Sequence, residues 1–243
     1  MKAFDYAIAE NEQGALAALK KGYKPKASGI DLLDIQKERS RVAADKIVTI
    51  HQIEPLRGIR EKDGGISIGA LTTLKEISEH PVLKKRFAAL AETSGDAATP
   101  QIRARGTIGG NLANASPAAD GATALLALGA SVVVESADPE RNGREVPLAD
   151  LFTGPGETAL RREDLIRAIR FPTPPPSTRC RYVKIGQRNA LAIAIVSVAV
   201  VFEPDAGLVR IALGSVAPTP VRAGGAERVF AEGWSEAGDR ERL

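Results

Sequence analysis

The sequence has only one cysteine, Cys180, among its 243 residues. A single thiol cannot form a disulfide within the chain, and it cannot supply the several thiolates that a structural zinc ion or an iron–sulfur cluster needs. Any such centre would have to be carried by another chain. Cys180 is flanked by two arginines, which could make it reactive, but a plain structural thiol is the simpler interpretation.

Long apolar runs and an excess of one charge are also missing. The longest apolar stretch, residues 190–202, has about 13 residues, which is too short to cross a bilayer as a helix. The N-terminal sequence MKAFDYAIAENEQ lacks the pattern of a signal peptide. The net charge is only +3, and the basic residues are scattered. We therefore expect a soluble chain without membrane or nucleic-acid partners, cytoplasmic, or periplasmic if a signal-bearing partner exports it.

What the sequence does contain is a polar, glycine-rich run in mid-chain, TIGGNLANASPAAD, from Thr107 to Asp120. The run holds two adjacent glycines, two asparagines and a Ser-Pro turn, and it has the apolar periodicity of neither a helix nor a strand. Glycines let a backbone approach a ligand closely, and short polar side chains can orient that ligand. We predict that this run contributes little to the core and forms the floor of a cofactor site.

The apolar pattern divides the chain into three parts. Residues 1–60 and 61–173 both mix helices and strands, and residues 178–243 are rich in β structure. The boundary is residues 172–176, where four prolines cannot join a central strand or a helix. The tail from residue 223 is polar and glycine-rich. We predict strands at 4–8, 47–50, 66–71, 131–135, 165–171, 182–185, 190–202 and 209–216, and helices at 12–20, 74–80, 87–93 and 122–128.

A second stretch, from Lys26 to Leu33, has the pattern of a strand, a turn and a helix. Its bend falls at Ser28 and Gly29, and backbone amides that lead into the start of a helix suit a pyrophosphate. No G-x-G-x-x-G motif follows the first strand, so a Rossmann-type dinucleotide site is rejected.

These two stretches and three others resemble the FAD-binding subunit of the molybdenum hydroxylases, the family of xanthine dehydrogenase, carbon monoxide dehydrogenase and aldehyde oxidoreductase. The central motif is TIGGNLANASPAAD, preceded by QIRAR. KASGIDLLDIQK is similar to the first flavin motif of the family, which usually reads A-G-G-T/H-D/S-L-L. The remaining matches are IGALTTLKEI, YVKIGQR and AIAI. The set runs in the order of the family over residues 1 to 220.

The resemblance implies a fold and a cofactor. The fold is the α+β, non-Rossmann flavoprotein fold shared with vanillyl-alcohol oxidase. It has a two-part PCMH-type FAD-binding domain, residues 1–60 and 61–173, and a small, shortened α/β C-terminal domain, residues 178–243. The cofactor of this chain is FAD. Molybdopterin and 2Fe-2S clusters belong to a large and a small partner subunit, and a final electron acceptor completes the set of partners.

The resemblance also implies site residues, none of them catalytic and none a metal ligand. Main-chain contacts to the diphosphate come from Ala27, Ser28, Gly29, Ile30, Asp31 and Leu32. Thr107, Gly110 and Asn111 contact the diphosphate and ribityl region, in the same loop as Ala113 and Ser116. Asp120 accepts a hydrogen bond from a ribityl or adenosine hydroxyl. Leu160 packs against the isoalloxazine ring, and Lys184 lies near it, where a cation would stabilise an anionic reduced flavin.

Each of the last three residues has a simpler alternative. Asp120 could cap the helix that starts at Gly121, because aspartate is a favoured N-cap. Leu160 could be an ordinary core residue, and Lys184 could be a solvated strand residue. His51 and His80 have no partners at a recognisable spacing and are expected to be structural.

The first flavin motif departs from the family pattern at two positions. Ser28 replaces a glycine, and its Cβ disfavours a positive φ; Ile30 replaces a small polar residue. Flavin affinity is therefore expected to be weaker than is usual for the family.

Three functions remain open. The first is an FAD-carrying subunit that transfers electrons from partner 2Fe-2S clusters to a final acceptor. The second is a stand-alone flavin oxidoreductase of the same fold. The third is a degenerate subunit that serves assembly and binds flavin weakly.

Overall fold

The computed structural model describes residues 3–38, 43–188 and 191–233. Residue 190 of the predicted strand and residues 234–243 of the predicted C-terminal domain lie outside the described residues. Within the described ranges, no helix combines the length and the apolar character that a membrane span requires.

The N-terminal unit is a parallel sheet of three strands that packs against a helix. Its elements are β1 (Asp5–Ile8), α1 (Glu12–Lys20), β2 (Lys24–Lys26), α2 (Ile30–Glu38) and β3 (Lys46–Thr49). The strand order is β1-β3-β2. Asn11 caps α1 by accepting a hydrogen bond from the Gly14 amide, and Leu19 packs into the core as the helical pattern predicts. The predicted helix and both predicted strands are confirmed.

The second unit is an antiparallel sheet of five strands, order β4-β5-β10-β6-β7, covered by helices. Leu74, Leu83, Leu90 and Leu112 of these helices are buried in one core with the sheet residues Ile68 and Val132. The five strands are β4 (Ile59–Lys62), β5 (Gly65–Gly69), β6 (Ser131–Ser136), β7 (Arg144–Pro147) and β10 (Asp164–Pro172). Two short strands, β8 (Phe152–Gly154) and β9 (Glu157–Thr158), pair in a separate two-stranded sheet. Its helices are α3 (Leu74–Glu79), α4 (Pro81–Arg86), α5 (Ala88–Asp96), α6 (Pro100–Arg103), α7 (Ile108–Asn114), α8 (Asp120–Ala127) and α9 (Leu148–Leu151).

The C-terminal unit is an antiparallel sheet of four strands, order β11-β12-β13-β14, with one helix packed on it. Its elements are β11 (Arg179–Gly186), β12 (Ala194–Glu203), β13 (Leu208–Gly214), β14 (Val221–Arg222) and α10 (Gly224–Ala231). The polar, glycine-rich stretch from residue 223 begins with α10. Phe230 packs edge-to-face on Phe202, and Glu227 accepts a hydrogen bond from the Ile211 amide. These tertiary contacts hold the helix despite its two initial glycines.

The proline-rich boundary is less sharp than the sequence predicts. Pro172 is the last residue of β10, the central strand, and it pairs with Gly65. The prediction that this proline cannot join a central strand is wrong, because the missing N–H falls at the strand end, where the ladder stops. Beyond the prolines, Ala199, Val201 and Ala212 lie in the same hydrophobic core as the second unit. The C-terminal sheet is thus packed directly on α5 and α8.

Candidate functional site

The first wall of the site is the turn between β2 and α2, residues 27–29. The predicted strand, turn and helix are confirmed, since β2 ends at Lys26 and α2 begins at Ile30. Gly29 has φ +83°, and a Cβ there would lie 3.2 Å from the side chains of Lys26 and Leu33. The positive φ falls on Gly29 and not on Ser28. The expected strain from Ser28 is therefore absent, because serine does not occupy the left-handed position.

The second wall is α7, and here the prediction for Thr107–Asp120 is wrong in part. The run contains a helix, and Ile108 and Leu112, one turn apart, are fully buried in the core. The helical pattern was missed because only these two large apolar residues mark it among small ones. Gly109 allows the close approach, since a Cβ there would lie 2.6 Å from the Cβ of Ala70.

Short polar side chains shape both ends of α7. Thr107 is the N-cap, and its Oγ1 accepts a hydrogen bond from the Gly110 amide at 3.2 Å. Ala115 ends the helix in the left-handed conformation at φ +48°. The Ser116 Oγ then accepts from the Ala118 amide, which forms the turn that leads to α8. The run thus fixes the path of the backbone beside the cavity.

The two walls border a cavity of about 930 Å³. Four predicted site residues lie on its surface: Ala27, Gly110, Ala113 and Leu160. Leu160 is half-buried and also packs against the core, so the two interpretations of this residue are compatible. The lining also has five basic residues that were not predicted: Lys21, Lys24, Lys46, Arg161 and Arg162. They come from distant parts of the chain and form no motif.

A polar cluster lies where the C-terminal sheet meets α5 and α8. The Lys184 Nζ lies 2.9 Å from the Asp120 Oδ2 and 2.6 Å from the Asp96 Oδ2. The Tyr182 hydroxyl donates to the Asp120 Oδ1 at 2.5 Å. We name these four residues the Asp120–Lys184 cluster. Asp96 and Tyr182 were not predicted, because a single sequence carries no signal for pairing over such separations.

The contacts of this cluster distinguish between the two interpretations of Asp120 and between the two interpretations of Lys184. Ala119 is the N-cap of α8, and Asp120 is the first residue of the helix. The Asp120 side chain makes no capping hydrogen bond, so the N-cap interpretation of this residue is wrong. The carboxylate instead serves Tyr182 and Lys184. The side chain of Lys184 is only 8% exposed, so it is not a solvated strand residue.

The surroundings fix the charge of two cluster members. Burial alone would lower the pKa of the Lys184 ammonium, but hydrogen bonds to Asp96 and Asp120 raise the pKa above its ordinary value. Burial, followed by the hydrogen bond to Asp120, raises the pKa of the Tyr182 phenol. Lys184 is therefore a cation and Tyr182 a neutral donor at neutral pH.

Leu160 and Lys184, which were both predicted beside one ring, lie on different cavities. Lys184 lines a cleft of about 340 Å³ together with Asp96, Gly186 and Arg188. Leu160 lines the larger cavity between the two walls. That one ring contacts both side chains stays a prediction.

His51 lies beside the first wall. Its Nδ1 is 2.9 Å from the Thr49 Oγ1, and the Lys26 Nζ donates to the same hydroxyl at 3.4 Å. Burial lowers the pKa of the His51 imidazole, and Lys26, Arg105 and Arg57 lower it further. A neutral imidazole hydrogen-bonded to a neighbouring strand residue is compatible with the structural role that was expected.

The geometry first defines a class of protein. A glycine turn at a helix start, facing a glycine-bearing helix across a large cavity, is typical of a domain that binds a phosphate-containing cofactor. Comparison with known proteins then gives the family. Residues 2–174 match the family model described as FAD binding domain in molybdopterin dehydrogenase, and residues 181–237 match the CO dehydrogenase flavoprotein C-terminal domain. The chain belongs to the FAD-binding subunits of the molybdenum hydroxylases.

Individual relatives agree with this assignment. The chain is similar to the xanthine dehydrogenase FAD-binding subunit of Escherichia coli O157:H7, 33% identical over 226 residues that cover 91% of this chain and 73% of that protein. It is 35% identical to the carbon monoxide dehydrogenase medium chain of Afipia carboxidovorans over 233 residues, which cover 93% of this chain and 79% of that protein. A solved structure, the carbon monoxide dehydrogenase of Hydrogenophaga pseudoflava that lacks the Mo-pyranopterin moiety, is also similar. It aligns with a TM-score of 0.89 and 32% identity, and the alignment covers 97% of this chain and 83% of that chain. The predicted resemblance and fold class are confirmed.

The residues present fit an FAD. Ala27 of the first wall and Gly110 of the second line the same cavity, and the turn at residues 27–29 leads into the start of α2, where free backbone amides suit a phosphate. The Asn111 Oδ1 is buried and has no hydrogen-bond partner among the described residues. An unpaired buried acceptor costs about 1–3 kcal/mol, and a donor on a ligand would remove that cost.

Proposed function

We propose that this chain is the electron-transfer subunit of a heteromeric molybdenum hydroxylase. In this proposal, a large partner subunit holds molybdopterin and a small partner subunit holds 2Fe-2S clusters. The task of this chain is to hold a flavin between those clusters and a final electron acceptor. When bound, FAD supplies the ability to accept electrons singly and to release them in pairs.

The observation that carries the proposal is the two-walled cavity, because Ala27 of the first wall and Gly110 of the second line the same space. Support also comes from relatives that are named as medium chains or FAD-binding subunits of dehydrogenases. The single cysteine of the chain is compatible with clusters on another subunit.

The residues of this chain bind and orient the cofactor. In the proposal, the diphosphate is held by main-chain contacts from Ala27, Ser28, Gly29, Ile30, Asp31 and Leu32. Thr107, Gly110 and Asn111 bind the diphosphate and ribityl region, with Ala113 and Ser116 in the same stretch. Asp120 accepts from a ribityl or adenosine hydroxyl, which its carboxylate can do beside Tyr182 and Lys184 because each oxygen accepts more than one bond. Leu160 and Lys184 flank the ring.

Co-expression with the two partner subunits tests the proposal. The chain should co-purify with both, and the flavin absorbance of the complex should bleach anaerobically when the substrate of the large subunit is added. A complex without the small subunit should keep its flavin oxidised. A flavin-loaded chain that turns over a substrate alone and binds neither partner would contradict the proposal in favour of a stand-alone oxidoreductase.

A further inference from the structure

The Asp120–Lys184 cluster contains more negative than positive charge. Two carboxylates, Asp96 and Asp120, contact one ammonium, Lys184. Tyr182 adds a neutral hydroxyl that donates to Asp120, which requires Asp120 to act as an acceptor. With Lys184 held as a cation, the cluster carries one net negative charge.

Asp96 reaches Lys184 because two elements pack together. It is the last residue of α5, and α5 packs on β11, the strand that carries Lys184. The negative end of the helix dipole therefore points at the same ammonium and adds to the negative potential. Asp96 is half-exposed, with 50% of its side chain accessible, whereas the side chains of Lys184 and Asp120 are nearly buried.

We propose that Asp96 is a positioning residue that lowers the reduction potential of the flavin, because it holds Lys184 and over-compensates its charge. This inference rests on the proposed function, which puts the flavin ring beside Lys184. It reverses the simple expectation from the sequence, in which an isolated lysine would stabilise an anionic reduced flavin.

The direction of the effect follows from electrostatics. Reduction adds negative charge to a flavin, so a cluster with net negative charge disfavours the reduced form. A unit charge several ångströms away in a partly buried site contributes about a tenfold change in an equilibrium constant. Arg188 also lines the cleft, but it is exposed and donates to the Leu191 carbonyl. Solvent screens the charge of the exposed Arg188 more than the charges of Asp120 and Lys184, whose side chains are nearly buried.

The test is the midpoint potential of the flavin-loaded chain, followed by spectroelectrochemical titration of its absorbance. Asp96→Asn removes the charge and keeps the size of the side chain. Glu92→Gln is the matched control, because Glu92 lies on the same helix and pairs with Arg181 of the same strand, but it is outside the cluster. Lys184→Met reports whether the ring is near the cluster at all.

We expect Asp96→Asn to raise the midpoint potential of the flavin. The rise should correspond to an equilibrium constant for reduction that is about tenfold larger. Glu92→Gln should change that constant by less than about twofold, and Lys184→Met should lower the potential. If Lys184→Met shifts the potential and Asp96→Asn does not, the role of Asp96 is wrong and the flavin position stands. If neither substitution shifts it, the proposed position of the ring beside Lys184 is wrong as well.

Discussion

At the scale of single residues, Tyr182 joins the C-terminal sheet to the second unit through one hydroxyl. That hydroxyl donates to the buried Asp120 carboxylate. We predict that Tyr182→Phe lowers the free energy of unfolding by about 1.5–3 kcal/mol, because the hydrogen bond is made to a charged group. Urea unfolding measures the change. Tyr6→Phe, at a tyrosine that is 53% exposed, should change stability by less than about 0.5 kcal/mol; equal effects would contradict the assignment.

Gly29 is the residue that the turn of the first wall requires. We predict that Gly29→Ala costs about 1–2 kcal/mol of stability, because alanine is strained at a positive φ. The FAD affinity should fall as well, since the strain would be relieved by moving the amides of the turn. Gly225→Ala is the control, at a helical glycine with open space around it. Its stability should be unchanged or slightly higher; an unfolding curve for Gly29→Ala that matches the parent would refute the account.

Residue-scale features differ in how well the sequence predicts them. Gly29 and Gly110 could be identified, because glycine motifs are local and their demand on the backbone is local. Tyr182 and Asp96 could not, because their contacts depend on how the C-terminal sheet docks onto α5 and α8. The expected penalty at Ser28 was wrong for a similar reason: sequence gives the composition of a turn but not which residue takes the positive φ.

At the scale of elements, α7 depends on its contact with the backbone that follows β5. A Cβ on Gly109 would lie 2.8 Å from the Ala70 carbonyl oxygen. We predict that Gly109→Ala lowers the free energy of unfolding by about 1–3 kcal/mol and weakens FAD binding, because the helix must move away from Ala70.

Gly95→Ala is the matched control for α7. Gly95 is also helical, and a Cβ there would lie at an ordinary 3.5 Å from Ser78. Its substitution should leave FAD affinity unchanged in a fluorescence titration. If Gly109→Ala binds FAD as tightly as Gly95→Ala, α7 is not a wall of the site.

The start of β10 is held by a buried carboxylate. Asp164 accepts hydrogen bonds from Arg141 and Arg144, each at 2.8 Å, and from the Arg161 amide at 2.9 Å. Burial opposes ionisation, but these hydrogen bonds dominate and lower the pKa of Asp164 to about 2.

This low pKa predicts a pH dependence. A carboxylate with a lower pKa in the folded state stabilises the fold above its ordinary pKa and loses that contribution as the pH falls. We expect about 2 kcal/mol of stability to disappear between about pH 4 and pH 2. Asp164→Asn should be less stable at neutral pH and should lack this loss, as urea unfolding at several pH values would show. An unchanged acid dependence in Asp164→Asn, equal to that of the exposed variant Asp150→Asn, would exclude the assignment.

Among the elements, those with large apolar residues could be predicted and the others could not. Valines and isoleucines predicted the strands β3, β6 and β10, and the structure confirms them. The helix α7 was missed, because most of its residues are small. The composition of α10 does not indicate a helix, because tertiary contacts through Phe230 stabilise a glycine-rich start.

At the scale of the whole molecule, the second unit and the C-terminal sheet share one core, in which Val201 and Ala212 lie with Leu125. The Asp120–Lys184 cluster lies at their junction, where Tyr182 and Lys184 of the C-terminal sheet meet Asp96 and Asp120 of the second unit. The sequence pattern, with its proline-rich boundary, does not show this packing. The family resemblance gave the fold, and the contacts between units come only from the structure.

Both walls of the cavity are expected to hold one cofactor with a diphosphate. Titration of FAD into the flavin-free chain, followed by quenching of flavin fluorescence, tests it most directly, with FMN and riboflavin as comparisons. We predict one FAD per chain and much weaker binding of FMN and riboflavin, because neither ligand has a diphosphate to contact the turn at Gly29 and the amides of α7. A folded chain that takes up no FAD, or that binds FMN as tightly as FAD, would contradict the account.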